Sequence, residues 1–338
     1  MIKMIKMIKL MSITLALFIF LAAASTLPAF AAHYDVSASD LNSGAALPRY
    51  AAGDTLWIVG YSSLNTTAWQ TLNRATVPFG LVFSNGQTSI PDNAMAMNSV
   101  APIFVVGEQV TRVGKRAFFG CISLRSVDFP YLAVIDDEAF YACSSLEDIC
   151  LYDVFSMGKN AFRGCERLEY AYMYELENIP EGAFANCYSL ADLYLPSART
   201  IGRNAFDSNS SLREVSLPLA AVLEPRAFYR AYIRDLYLPS VTQIGSEAFS
   251  GCSALQTLDL EYADPWVGEN AFAGVGRITI YSNRRSLSSY NYPPYYLATF
   301  NGEDGGGGGC SAGFSSFALL LSIVPFAIKK KNVSEVAK

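Results

Sequence analysis

AFANCYSLADLYLPSARTIGRNAF, residues 183–206, begins and ends on the same dipeptide, and the two copies stand 22 residues apart. The dipeptide recurs in register at Ala117-Phe118, Ala139-Phe140, Ala161-Phe162, Ala183-Phe184, Ala205-Phe206, Ala227-Phe228, Ala248-Phe249 and Ala271-Phe272, in steps of 21 to 23 residues. A fixed period of this length marks a solenoid. Each unit is one coil that cannot bury its apolar side alone and must stack on its neighbours.

The rest of the unit keeps the same register. Four residues before each Ala stands Val113, Ile135, Met157, Ile179, Ile201, Leu223, Ile244 or Val267, and a second inward series runs Leu124, Leu146, Leu168, Leu190, Leu212, Ile233, Leu255 and Val275. Next come alternating pairs such as Val127/Phe129, Leu193/Leu195, Val215/Leu217 and Ile278/Ile280. Period-two alternation over so few residues predicts one very short strand per coil with one face buried. Pro130, Pro196, Pro218 and Pro239 close that strand, because a residue with no N–H cannot extend the ladder. A strand that returns once per coil, always followed by the same turn, pairs in parallel with its copies.

The unit L-x-x-V-x-L-P-x-x-x-x-x-I-x-x-x-A-F-x-x-C resembles the leucine-rich repeat of the BspA-like bacterial surface proteins, over residues 89–300. The resemblance implies a right-handed solenoid with a short parallel sheet on its concave face and short helical turns on its convex face. Upstream, Ile90-Pro91-Asp92-Asn93-Ala94-Met95 is a degenerate copy of the Ile-x-x-x-Ala-Phe box, and strand centres are expected at Ile58, Val82 and Val105. Residues 32–88 are expected to form an amino-terminal cap of atypical coils, with an independent small domain as the other reading. Within them, Thr67 to Arg74 predicts a short helix capped by Thr66 or Thr67, with Trp69 and Leu72 on one side. After Ile280 the Tyr- and Pro-rich run to Phe300 resembles the closing element of the same repeat family, covering the open sheet edge.

The chain ends point to export. Lys3, Lys6 and Lys9 precede an apolar run from Leu10 to Ala24, and Ala29-Phe30-Ala31 is a small-x-small cleavage site, so residues 1–31 are expected to be a signal peptide processed after Ala31. At the other end a Gly-rich linker, residues 301–309, leads to Cys310, an apolar stretch from Phe314 to Ile328 and the basic Lys329-Lys330-Lys331. As a helix those fifteen residues rise only about 22 Å against a hydrocarbon core of about 30 Å, so a permanent span is marginal. Residues 310–338 resemble Gly-Gly-type carboxyl-terminal sorting tags, most closely the Synergistes-type version with its G-G-G-G-C-x-A-G box. That resemblance implies transient membrane association, proteolytic removal near the glycines with Cys310 as the processing or lipidation mark, and delivery to the cell surface.

Charge and composition narrow the partner. The chain carries 25 basic and 30 acidic residues; the leader and the segment from Phe314 each hold +3, which leaves −11 on residues 32–313. Such a surface repels nucleic acid. Cys121, Cys143, Cys165, Cys187 and Cys252 share the position four after the repeat Ala, where Asn209, Ala231 and Val275 stand elsewhere. Coils about 4.8 Å apart permit disulfides between neighbours, but a slot that accepts Ala and Val favours a ladder of buried free thiols. No Cys or His spacing suits zinc, and no cofactor motif is present.

Catalytic residues are scarce. The only histidine, His33, lies beside the cleavage site, where it is expected to be disordered, and Asp136-Asp137 and Glu147-Asp148 are the paired carboxylates that a glycosidase would need. What remains is the concave sheet, whose outward strand positions are Asp128, Cys150, Tyr172, Tyr194, Ser216, Tyr237, Asp259 and Thr279, with Tyr170, Tyr174 and Tyr152 close by. Tyrosines on a rigid sheet offer large contact area and a polar handle. Tyr152, Tyr170, Tyr172, Tyr174, Tyr194 and Tyr237 are therefore the candidate binding residues, with Trp57 and Trp69 of the cap next. The expected function is a non-catalytic cell-surface or secreted protein that recognises an extracellular protein or glycan, as in adhesion. A self-associating envelope protein and a carbohydrate-active enzyme are the alternatives.

Overall fold

The computed structural model describes residues 32–84, 86–149, 151–282 and 296–300. The leader with Ala31, the strand position Cys150, and the linker and tail with Cys310 lie outside them.

Parallel strands, one per coil, run through the described chain in three hydrogen-bonded groups. β1 (His33–Ser37), β2 (Thr55–Val59), β3 (Gly80–Phe83), β5 (Phe104–Gly107), β7 (Ser126–Asp128) and β9 (Asp148–Ile149) form one sheet. β11 (Tyr170–Tyr172) pairs with β13 (Asp192–Tyr194), and β15 (Glu214–Ser216), β17 (Asp235–Tyr237), β19 (Thr257–Asp259), β21 (Ile278–Ser282) and β22 (Tyr296–Phe300) form a third run. Inward residues stack on inward residues, as in Leu81–Val105, Val105–Val127 and Leu236–Leu258. Register fails to match the sequence expectation at both ends. Val82 pairs with Trp57 on the outer face, and the inward partners are Leu81 and Phe83. β3 is buried on both faces, with the Phe104 ring lying where a side chain on Gly80 would go, so its alternation is hidden. At the other end Asp259 pairs with Tyr281, not Thr279. A slip of two residues keeps every side chain on its face, so hydropathy alone cannot detect it.

From β3 to β19 each coil holds a second strand that the sequence pattern did not reveal, where the first two coils carry a helix instead. The apolar residue four before each Ala ends a two-residue strand, as in β4 (Ser89–Ile90), β6 (Arg112–Val113), β8 (Val134–Ile135) and β10 (Ser156–Met157), which pair in parallel. Two residues show no period. Pro180 stands where Gly114, Gly158 and Gly202 donate an N–H to the preceding coil, and this ladder starts afresh at β12 (Asn178–Ile179).

The third side of the coil, expected as short helical turns, is turn structure without regular α-helix. The only α-helices among the described residues are α1 (Ala38–Asn42) and α2 (Thr66–Asn73), both near the amino end. The residue before each Ala has positive φ, as at Arg116, Glu138, Asn160, Gly182 and Asn204, and so does the residue three after it, as at Gly120, Ala142, Gly164, Asn186 and Ser208. Two left-handed residues per turn break the right-handed α run. They also turn alternate N–H groups toward the next coil: Arg116 N–H donates to Asp137 O at 3.0 Å, Phe118 N–H to Ala139 O at 2.8 Å and Gly120 N–H to Tyr141 O at 2.7 Å. Donors used between coils cannot close a helix. In α2 the cap is Asn65, whose side chain accepts the Ala68 N–H, rather than either threonine.

The core follows from this stacking. Phe118, Phe140, Phe162, Phe184, Phe206, Phe228, Phe249 and Phe272 form one buried column, with successive rings 5.1–5.6 Å apart and planes within 18°. The five repeat cysteines are free thiols and buried. Each Sγ–H donates to a backbone carbonyl of the preceding coil, for example Cys143 to Phe118 O at 3.0 Å and Cys187 to Phe162 O at 3.1 Å. The slot is therefore not merely apolar. Asn209 fits it because its Oδ1 accepts the Cys187 N–H at 3.0 Å. His33 is not disordered: it opens β1, in register with Thr55 and with its ring 5.8 Å from that of Trp57.

Candidate binding face

Five of the six candidate tyrosines meet. Tyr170 and Tyr172 lie on β11 and Tyr194 on β13, where Tyr172 and Tyr194 are register partners. Tyr152 and Tyr174 stand just past the last inward residue of their coils, the slot that Pro130, Pro196, Pro218 and Pro239 fill elsewhere. Ring centroids are 6.4 Å apart for Tyr152–Tyr172, 5.8 Å for Tyr152–Tyr174, 6.0 Å for Tyr170–Tyr172 and 5.4 Å for Tyr174–Tyr194. This is a contiguous aromatic surface across three coils. Tyr152 and Tyr174 are 44% and 45% exposed, whereas Tyr170, Tyr172 and Tyr194 are half-buried, less open than a fully presented strand face would be. Burial, then Asp192 and Tyr174, raises the Tyr172 phenol above its ordinary value, and burial followed by Tyr194 raises that of Tyr174.

Tyr237 stands apart. It pairs in register with Ser216 and Asp259, its hydroxyl donates to the Glu261 carboxylate, and burial followed by that hydrogen bond raises its phenol far above the ordinary value. Of the two cap tryptophans, Trp57 is 37% exposed on the outer face of β2, but Trp69 is buried, 5.7 Å from the Phe83 ring, and offers no surface.

Of the paired carboxylates, Asp136 and Asp137 belong to a different side of the coil, whereas Asp148 opens β9 on the strand side. Asp136 takes the Arg112 guanidinium at 2.7 Å, Asp137 accepts the Lys159 N–H at 2.8 Å, and Glu147 pairs with Arg167 at 3.0 Å. Asp92, Lys115, Asp137, Lys159, Glu181 and Arg203 occupy one slot in successive coils and alternate in sign. Lys159 Nζ reaches Glu181 at 3.0 Å, and Arg116–Glu138 and Arg226–Glu247 run parallel at 3.3 and 3.4 Å. That stripe neutralises itself.

The strand face does so less: Asp235 has Arg234 at 4.0 Å, but among the described residues no ion pair involves Asp128 or Asp192. Asp192 is in register with Tyr170, and Asp128, Asp235 and Asp259 hold outward strand positions, with Asp148 and Glu214 at equivalent registers. Burial, then Glu108, raises the Asp128 carboxyl, and burial is also the main cause of the rise at Asp259. Sequence reasoning placed Asp128 and Asp259 on this face but overlooked Asp192, Glu214 and Asp235, because it followed a single outward slot per strand. The slot two residues earlier, with Asp148, Asp192, Glu214 and Asp235 at the repeat spacing, carries the missed signal.

With the coil geometry in hand, family comparison is decisive. The model for the BspA type leucine rich repeat region matches residues 88–213 and 221–296. The chain belongs to that family. No curated protein matches. Among solved structures, this BspA-type chain is similar to a leucine rich cell surface protein from Faecalibacterium prausnitzii at 22% identity, covering 58% of this chain and 77% of that one, TM-score 0.37. It is also similar to a leucine-rich repeat protein from Bacteroides ovatus at 18% identity, covering 72% and 82%, TM-score 0.43. The pneumococcal vaccine antigen PcpA is similar at 15% identity, covering 74% and 85%, TM-score 0.35.

Proposed function

We propose that this chain is an exported, non-catalytic binding protein, displayed at the cell surface or released, which holds an extracellular protein or glycan on the tyrosine patch of its strand face, as in adhesion. The observation that carries this reading is the pair Tyr152 and Tyr174. Both put a large exposed ring in a slot that four other coils give to proline, and both join Tyr170, Tyr172 and Tyr194 in one surface. Rigid aromatic side chains of this kind dominate many recognition surfaces because they bury much area for little lost entropy. Screening the protein on an array of extracellular proteins and glycans, beside a Tyr152→Ser, Tyr172→Ser, Tyr174→Ser variant, tests it. A partner should be captured by the parent and lost by the variant; equal capture by both sinks the patch as the site.

Export follows from the two ends of the sequence. Residues 1–31 act as the leader, and residues 310–338 act as a sorting tag removed near the glycine run. Mass spectrometry of the protein recovered from its native envelope should find neither Met11 nor Lys331; an intact carboxyl-terminal peptide on surface-exposed protein rejects the tag.

A further inference from the structure

We infer that the tyrosine patch takes a cationic polypeptide segment, one that presents lysine or arginine side chains along an extended stretch. The inference rests on the patch being the binding site and adds the chemistry of its occupant.

Charge argues for this occupant. From Glu147 to Tyr194, the span that holds the patch, nine acidic residues face three basic ones. Two of the three basic residues are ion-paired elsewhere, Lys159 with Glu181 in the neutral stripe and Arg167 with Glu147, and the third, Arg163, lies in the turn after Phe162 rather than on a strand. No lysine or arginine occupies an outward strand position of β7, β9, β11, β13, β15 or β17. Among the described residues no ion pair involves Asp128 or Asp192. Asp192, in register with Tyr170, thus lacks the counter-charge that the carboxylates across the coil possess.

Ring geometry points the same way. A guanidinium or ammonium is attracted to the face of an aromatic ring within about 6 Å, most strongly when partly desolvated, and this chain already uses that contact: Arg116 lies 4.2 Å over Phe119 and Arg226 lies 4.0 Å over Tyr229. On the strand face no cation of the chain lies over Tyr172, Tyr174 or Tyr194 among the described pairs, and Asp192 faces Tyr170 in register. A partner's lysine or arginine would complete both interactions, and its approach would be steered by the acidic field. An acidic or sulfated glycan is repelled by the same field.

The test titrates the full chain with a twelve-residue peptide of alternating lysine and serine, with the same peptide acetylated on every lysine, and with a neutral and a sulfated oligosaccharide. The lysine peptide alone should bind, more weakly as salt rises toward 0.3 M, where the Debye length falls below about 8 Å. Asp192→Asn should weaken it by about two- to fivefold, the range of one exposed ion pair. Tyr172→Ser with Tyr174→Ser should weaken it further, while Glu224→Gln, on the opposite side of the coil, should not, with thermal midpoints confirming that each variant folds. Equal losses for Asp192→Asn and Glu224→Gln would show only bulk attraction and overturn the inference. Binding of the neutral oligosaccharide, lost in the tyrosine variant, would keep the patch as the site but overturn the cationic occupant. A lysine peptide bound equally by the tyrosine variant would overturn the patch itself.

Discussion

The ring of Phe206 lies 5.6 Å from that of Phe184, one coil earlier, with the two planes 3° apart. Both side chains are fully buried and continue the column on either side. Phe184→Ala removes a ring from the middle of that stack and leaves a cavity between two coils that cannot close it without tilting. The expected cost is about 3–5 kcal/mol. Urea denaturation checks it, and an unchanged midpoint contradicts the column.

Thiol chemistry gives an independent check on the same interior. Burial pushes the Cys121 and Cys252 thiols up to about 12, and burial holds Cys143, Cys165 and Cys187 well above the ordinary value as well. Since the thiolate is the reactive species, native protein at neutral pH should leave these five cysteines unalkylated by iodoacetamide, and urea should expose all five. Peptide mapping that finds Cys143 or Cys165 modified in the folded protein, or two of the five joined as a disulfide, refutes the free-thiol ladder.

How much of this was legible in the sequence depends on the length of the signal. The inward positions from Val127 to Leu260 were readable because 22-residue periodicity repeats them many times over. The two-residue strands at Val134–Ile135 and its counterparts were not, because two residues carry no period. The convex side was expected as short helical turns, but its left-handed positions were not legible, because Arg116 and Glu138, unlike Gly182 and Asn160, carry no residue signature for them. The tyrosine cluster was legible as a group. What separated Tyr237 from it was a hydrogen bond to Glu261, a residue that follows its strand one coil later and is invisible to a single-slot comparison.

Two outward carboxyls make folding pH-dependent in an unusual direction. Burial, then Glu108, raises Asp128, and burial is also the chief cause at Asp259, so the folded chain keeps these protons where the unfolded chain has already released them. Stability contributed by such a group therefore falls as pH rises from the ordinary carboxylate range through the raised folded value, and the cost is complete above it. Asp128→Asn deletes the titration. Relative to the parent, this variant should be more stable at pH 7, with the advantage shrinking as pH falls into the ordinary range near 3.8. Paired urea midpoints at the two pH values decide it; a variant with no advantage at pH 7, or one that is independent of pH, contradicts the assignment.

The proline slot allows folding and binding to be separated at a single residue. Tyr174 follows the last inward residue of its coil, Met173, as Pro196, Pro218 and Pro239 follow Leu195, Leu217 and Leu238. Those coils hold proline without losing the strand before it, so the backbone of this slot is compatible with the fixed φ of proline and with the extended residue that proline demands before it. Tyr174→Pro should therefore leave the thermal midpoint within the small range usual for surface changes, about 0.5 kcal/mol. The same change deletes a ring that lies 5.8 Å from Tyr152 and 5.4 Å from Tyr194, splitting the aromatic surface in two. Capture of the array partner should then fall sharply while the fold persists. A variant that melts early would show that Tyr174 is needed to hold its coil, and one that melts normally but binds as well as the parent would move the contact off the tyrosine patch.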